Sequence, residues 1–313
     1  MYRLGIDLGG TNIVAGVVDD NYNIIAYAKR KTNCPRPSTE IADDIAAAAN
    51  EAIEAAGITL SDISFAGIGA PGDIDVKNGI ILQADNLEFV NVPIVDMLKE
   101  RLGITFNIQN DANAAAYGEY IAGAGNGTKD FIMVTLGTGV GGGVVINGSL
   151  YAGFLNKGAE LGHSVINMDG EMCSCGRRGC WEAYASATAL IRQTKSAMQD
   201  DKQSLMWQLC DNDLNNVSGI TAFDAMRKGD LTAKQVVDKY IYYISVGIVD
   251  NIYVFEPEVI CIGGGISGEG DNLILPIIEN IKIQIPSFNP EIDTKVKIAK
   301  LGNDAGIIGA AYL

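Results

Sequence analysis

Residues 3–18 read RLGIDLGGTNIVAGVV, and residues 131–147 read FIMVTLGTGVGGGVVIN. Each is a short apolar run, then a threonine among clustered glycines, then a valine-rich run. The first predicts strands over 3–8 and 13–18, with a third over 23–30 after the turn Asp19-Asp20-Asn21. Connections this short leave no room for a crossover helix, so these three strands are expected to be antiparallel. The second predicts strands over 131–136 and 144–147 around a glycine loop from Gly137 to Gly143. A duplicated strand–glycine turn–strand unit accounts for the likeness of Gly9 and Gly137; so does coincidence in so short a pattern.

Outward from these stretches, helices alternate with strands. The run 39–56 (TEIADDIAAAANEAIEAA) has apolar residues three and four apart and Thr39 placed as a cap. A strand over 64–69 ends at the turn Ala70-Pro71-Gly72-Asp73, and a strand over 104–109 lies between helices over 93–102 and 112–122. Gly123 to Gly127 (GAGNG) marks a hinge. After a loop-rich stretch over 148–180 come helices over 181–198, 221–227 and 232–254. The last carries Val236, Val237, Tyr240, Ile244, Ile248 and Ile252 on one face. Strands over 258–262 and 295–299 and helices over 271–282 and 304–312 complete an α/β chain with some antiparallel sheet.

Composition narrows the function. The chain holds 37 glycines in 313 residues, against the ~22 that a usual ~7% would give, and only 8 prolines. Such a surplus is neither linker nor low-complexity sequence; it asks for backbone positions that tolerate no side chain. With 23 Lys+Arg against 38 Asp+Glu the net charge is −15, which repels nucleic acid and anionic membrane. Phosphates can still be held by backbone amides, hydroxyls and Mg²⁺. No basic-then-apolar leader and no long apolar span is present, and six cysteines are too few for a disulfide scaffold, so the cytoplasm is the expected setting.

Three glycine clusters follow apolar strands: Asp7-Leu8-Gly9-Gly10-Thr11, Gly137-Thr138-Gly139 with Gly141 to Gly143, and Gly263-Gly264-Gly265. Neither the dinucleotide fingerprint nor the P-loop fits them. They are tight turns of a sheet protein, or they bring amides and the Thr11 and Thr138 hydroxyls against an anion, with Asp7 holding Mg²⁺ through water. Asn110-Asp111 is an expected helix cap, and Asp111 also suits a general base aimed at a substrate hydroxyl. His163 with Cys173, Cys175 and Cys180 forms a Cys₃His set suited to a structural tetrahedral zinc, with unligated or disulfide-bonded cysteines as the alternatives.

Taken in order, Asp7-Leu-Gly-Gly-Thr11, the 136–143 glycine loop, Glu160-Leu-Gly-His163 and Cys173-x-Cys-Gly-x-x-Gly-Cys-x-Glu182 resemble the ROK family (repressors, ORFs, kinases) over essentially the whole chain. The resemblance implies two ribonuclease-H-like lobes around a central cleft. Residues 1–122, completed by the C-terminal helix 300–313, would form the small lobe, and 123–299, with the zinc loop, the large one. It further implies an ATP-dependent sugar kinase acting on a hexose 6-hydroxyl, most simply that of glucose. The alternatives are an N-acetylmannosamine, N-acetylglucosamine or other hexose kinase, or a non-catalytic sugar-binding regulator. Asp111 matches the catalytic base. Gly72, Asn86, Asn110, Glu160, His163 and Glu182 match sugar ligands. Asp7, Gly9, Gly10, Thr11, Asn12, Gly137, Thr138 and Gly139 match the phosphate site, and Gly263 to Gly265 the adenosine site. Dimers or tetramers are implied as well. Two features depart from the pattern: only six residues precede Asp7, too few for the DNA-binding segment of the repressors, and Phe89 stands near the place of the usual tryptophan in Asn-Leu-x-x-Trp.

Overall fold

The structure, a computed structural model, describes residues 1–285 and 293–313. The chain groups into two compact units, one of Met1–Ile132, Gly143–Ala159 and Lys300–Leu313, the other of Met133–Gly142 and Glu160–Ala299. In chain order its elements begin with β1 (Tyr2–Leu8), β2 (Asn12–Val18), β3 (Ile24–Lys31), α1 (Ser38–Ala55), β4 (Ile63–Ala70), β5 (Asp73–Asp75), β6 (Ile80–Ala84), β7 (Phe89–Val92), α2 (Ile94–Leu102), β8 (Phe106–Asn110) and α3 (Asp111–Ala122). They continue with β9 (Phe131–Leu136), β10 (Val140–Ile146), β11 (Ser149–Tyr151), α4 (Glu182–Ala185), α5 (Ala187–Asp200), α6 (Met206–Leu209), α7 (Thr221–Arg227), α8 (Leu231–Phe255), β12 (Val259–Gly263), α9 (Asp271–Gln284), β13 (Lys295–Ile298) and α10 (Asp304–Tyr312).

The first sheet runs in the order β3-β2-β1-β4-β8. Short turns make β1, β2 and β3 antiparallel neighbours, whereas β4 and β8, each reached through a helix, run parallel to β1. Ile41, Ile45, Ala49 and Ala52 of α1 share one core with Leu4, Ile6 and Ile13 of the sheet. Helix α10 lies against the sheet backbone: a Cβ on Gly5 or Gly67 would stand 1.9 Å from the carbonyl oxygen of Ile307 or Ala310. Glycine at those strand positions is therefore a packing requirement, which explains part of the surplus. A small antiparallel sheet, β5-β6-β7, follows β4.

The second five-stranded sheet has the order β11-β10-β9-β12-β13. Counted along the chain, both sheets place their strands as third, second, first, fourth, fifth, which supports the duplicated unit read from the glycine turns. All six apolar residues expected on one face of α8 are buried. No helix among the described residues is long and apolar enough to cross a membrane.

Several boundaries differ from those the pattern predicts. Pro37, not Thr39, precedes the first turn of α1, and Thr39 lies inside the helix. The helix expected over 181–198 is two: Ser186 is extended, at ψ 162°, and its hydroxyl accepts from Ala189 N–H at 3.0 Å, so it caps α5 after the short α4. Gly141 to Gly143 belong to β10 rather than to a loop. Gly123 to Gly127 lie inside the first unit, where Gly123 and Gly125 donate to the Glu119 carbonyl.

Candidate active site

In the first unit, β1 delivers Asp7 to the sheet edge and the chain turns through Gly9 and Gly10 into β2. Gly9 N–H donates to Asn12 O at 2.9 Å, and the hydroxyl of the buried Thr32, the residue after β3, donates to Gly9 O at 2.6 Å and braces the turn. A cavity of about 490 Å³ opens beside it, lined among others by Asp7, Gly10, Thr11, Asn12, Lys29 and Asp304. Asn86 approaches the same turn: a Cβ on Gly10 would stand 3.2 Å from its amide nitrogen.

The second feature of this unit is the junction between β8 and α3. Asn110 caps α3, its Oδ1 accepting from Ala112 and Asn113 N–H at 3.0 and 3.3 Å, while its Nδ2 donates to Gly72 O at 3.3 Å. That bond joins two of the expected sugar ligands. Gln109, which the sequence reading passed over, is almost fully buried, and its Oε1 accepts from Asn110 N–H at 2.8 Å and from Asn156 Nδ2 at 2.9 Å. The available signal was a run of three polar residues, Gln109-Asn110-Asp111, at the end of a strand. Phe89 is a core residue of this unit, whereas Val90 beside it is 70% exposed.

Asp111 accepts from Ala112 N–H at 2.8 Å, and no side chain among the described residues donates to it. Burial raises its pKa above the ordinary carboxylate value, opposed by that amide. Burial likewise pushes Asp7 up to about 6, and the Asp111 charge adds to the rise. Neither carboxylate has a lysine or arginine partner among the described residues. The result is a pair of proton-accepting, oxygen-donor groups near a glycine turn, each more basic than a surface aspartate and neither neutralised by the protein.

In the second unit, the turn Gly137-Thr138-Gly139 is held by α5: Ala187 N–H donates to Gly137 O and the Thr188 hydroxyl donates to Thr138 O, both at 2.8 Å. Glu182, opening α4, accepts from Val140 N–H at 3.1 Å and, through its other oxygen, from the Ser174 hydroxyl at 2.8 Å. This one carboxylate ties the glycine turn to the cysteine loop. Glu160 precedes a single 3₁₀ turn over Leu161–His163, and its carbonyl accepts from His163 N–H at 3.0 Å. After β12, Gly264 adopts φ 83°, and a Cβ there would stand 2.5 Å from Leu136 O, so the third glycine cluster passes closely over the end of β9.

His163, Cys173, Cys175 and Cys180 place their ligand atoms within 4.8 Å of one another. Cys175 and Cys180 sulfurs are 3.7 Å apart, and Cys173 Sγ is 3.6 Å from His163 Nδ1. A zinc tetrahedron with ~2.3 Å Zn–S bonds has edges of about 3.8 Å, so the donors fit that ion. The cysteines are free thiols, and burial pushes Cys180 up to about 12; a cation is what would hold it as thiolate.

The chain is similar to known proteins over nearly its whole length. Residues 3–313 match the model of the ROK family. The glucokinase of Thermotoga maritima is 38% identical over 312 residues, covering 99% of this chain and 96% of that one. A ROK family glucokinase from Streptomyces griseus, solved in complex with glucose and AMPPNP, is 36% identical with a TM-score of 0.82, covering 99% and 98%. The ROK hexokinase of Thermus thermophilus is 30% identical with a TM-score of 0.81, covering 99% and 97%. The chain belongs to the ROK family.

Proposed function

We propose that this protein transfers the γ-phosphoryl group of ATP to the 6-hydroxyl of glucose. The observation that carries the reading is Asp111: a half-buried carboxylate with a raised pKa, presented at the start of α3 beside the capping Asn110, in a chain 38% identical to a glucokinase. Its raised basicity suits it to take the sugar hydroxyl proton. The sugar oxygen then bonds to the γ-phosphorus, the bond to the β,γ-bridging oxygen breaks, and ADP leaves. Little covalent work is left to the protein, so positioning and charge neutralisation dominate.

Roles for the remaining residues follow from that chemistry. Gly72, Asn86, Asn110, Glu160, His163 and Glu182 are assigned to sugar hydroxyls. The turns Gly9 to Asn12 and Gly137 to Gly139 are assigned to the donor phosphates through their hydroxyls and the amides other than those of Gly9 and Gly137, which close the turns themselves, and Gly263 to Gly265 are assigned to the adenosine. Mg²⁺ accompanies ATP and offsets phosphate charge, with Asp7 as the oxygen donor best placed toward it. The cysteine cluster holds a structural zinc; its four donors leave no position open for chemistry. The common strand order of the two five-stranded sheets supports reading each as a ribonuclease-H-like lobe.

A coupled ADP-release assay with MgATP over glucose, mannose, fructose, N-acetylglucosamine and N-acetylmannosamine tests the activity. Glucose is expected to give the highest kcat/KM; no turnover with any sugar contradicts the reading. Elemental analysis of protein purified without chelator is expected to find one zinc per chain, and its absence contradicts the metal assignment.

A further inference from the structure

Strand β3 sorts its cations onto two faces. Arg30 points toward α1, where Asp44 at 2.9 Å and Glu51 neutralise it. Lys29, one residue earlier, lies on the opposite face, as strand alternation requires. There it pairs in register with Val14 of β2 and lines the cavity beside the Gly9-Gly10 turn. It is the one cation lining that cavity, which also contains the carboxylates of Asp7 and Asp304. No carboxylate or other acceptor among the described residues engages the Lys29 ammonium, whereas Arg30, Arg36, Arg101 and Lys157 of this unit are each paired; Lys31 and Lys99 are without an ion pair among those residues too, but neither lines the cavity. An ammonium left free on an exposed strand, in a chain of net charge −15, is available to an anionic ligand.

The cavity's chemistry names that ligand. Backbone amides at a glycine turn, the Thr11 hydroxyl, an oxygen donor for a divalent cation at Asp7 and a lone ammonium together suit the phosphate chain of a nucleoside triphosphate. We propose that Lys29 contacts the phosphates of the donor nucleotide and sets the enzyme's affinity for it. This rests on reading the cavity as the donor site. It also amends the expectation from composition, under which amides, hydroxyls and Mg²⁺ alone meet the nucleotide. A lysine ammonium is a compact point charge on a flexible stem, suited to follow a phosphate group without fixing its geometry.

The test is Lys29→Met beside Lys29→Arg, with Lys31→Met as control. Lys31 stands two residues along the same strand, in register with Asn12, and is not itself among the residues lining the cavity, so its replacement removes the same formal charge from beside it. Loss of a charge-assisted contact is expected to raise KM for MgATP about tenfold in Lys29→Met, with kcat and KM for glucose within about twofold of the parent. Lys29→Arg is expected to stay within about threefold, and Lys31→Met to match the parent. A Lys29→Met KM for MgATP within twofold of the parent overturns the proposal, as does an equal shift in Lys31→Met. Calorimetric titration of each protein with Mg·AMPPNP keeps this separate from the activity assignment. Weaker binding confined to Lys29→Met supports the contact even if no sugar is phosphorylated. A parent protein that binds no nucleotide overturns both readings.

Discussion

Helix α3 has a carboxylate near each end, Asp111 half-buried and Glu119 fully buried, and the two have opposite surroundings. Glu119, fully buried, accepts from the backbone N–H groups of Ala124 at 2.8 Å, Lys300 at 2.8 Å and Leu301 at 2.6 Å. Those bonds pin the segment that leads into α10. Asp111, eight residues earlier, accepts from the Ala112 amide and has no side-chain donor among the described residues. Burying a carboxylate is costly unless hydrogen bonds replace the lost water. At Glu119 three such bonds replace it; at Asp111 only backbone amides at the start of α3 do, and desolvation outweighs them in its raised pKa. Burial alone therefore does not mark a functional acid. Burial with less compensation, as at Asp111, is what the proposed role as base calls for.

Four substitutions or conditions probe that contrast, beginning with the largest effect. Asp111→Asn keeps the shape and the Ala112 bond but removes the base. Turnover is expected to fall about a thousandfold, with thermal stability at or above that of the parent. Comparable destabilisation by this variant would erase the distinction between the two ends of α3. Glu119→Gln presents an amide N–H₂ to donors that need an acceptor, and is expected to cost about 3 kcal/mol in a urea unfolding series. The kcat of its folded fraction should remain within about threefold of the parent; a selective loss of kcat would move Glu119 into the chemistry.

Asp7 supplies the third test through pH. Its folded pKa of about 6 lies above the unreacted value of 3.8, so between these values the folded state binds more protons than the unfolded one. Stability should then fall as pH rises from about 4 to about 6, by on the order of 2 kcal/mol, and this dependence should vanish in Asp7→Asn. Activity should move the other way, declining below about pH 6 as Asp7 is protonated. A stability profile for the parent that matches that of Asp7→Asn contradicts the assignment. Smallest is Asn110→Ala, expected to cost about 1 kcal/mol from the lost cap. It should also raise KM for glucose, which a residue serving as cap alone would leave unchanged.

These contrasts also show what could be read from the chain. The hairpin strands over 2–31 are legible because alternation, short turns and glycine position all agree. The α8 face is legible from its helical spacing, and the His163–Cys180 set from ligand type and spacing. Other features depend on partners distant in sequence. The glycines at 5 and 67 look like ordinary strand positions until α10, more than 200 residues away, is laid against them. Ser186 breaks a continuous helical pattern because its hydroxyl caps the next helix, and the pattern continues through it unchanged. The small sheet β5-β6-β7 was unread because its strands are short and carry little periodicity. Within the site, Asn110 and Asp111 were visible as a strand-to-helix junction. Gln109 and Lys29 were not, since the role of each comes from what faces it: Asn156 for the first and an open cavity for the second.

The central claim is that Asp111 is left unsatisfied because it serves as base for a glucose hydroxyl. Its most direct test is ³¹P NMR of glucose and MgATP incubated with Asp111→Asn, at concentrations that calorimetry shows to saturate its glucose site. The account predicts glucose affinity within about threefold of the parent and glucose 6-phosphate formation at least about 100-fold slower. Formation of that product at the parent rate, with Asp111 replaced and glucose bound, would contradict it.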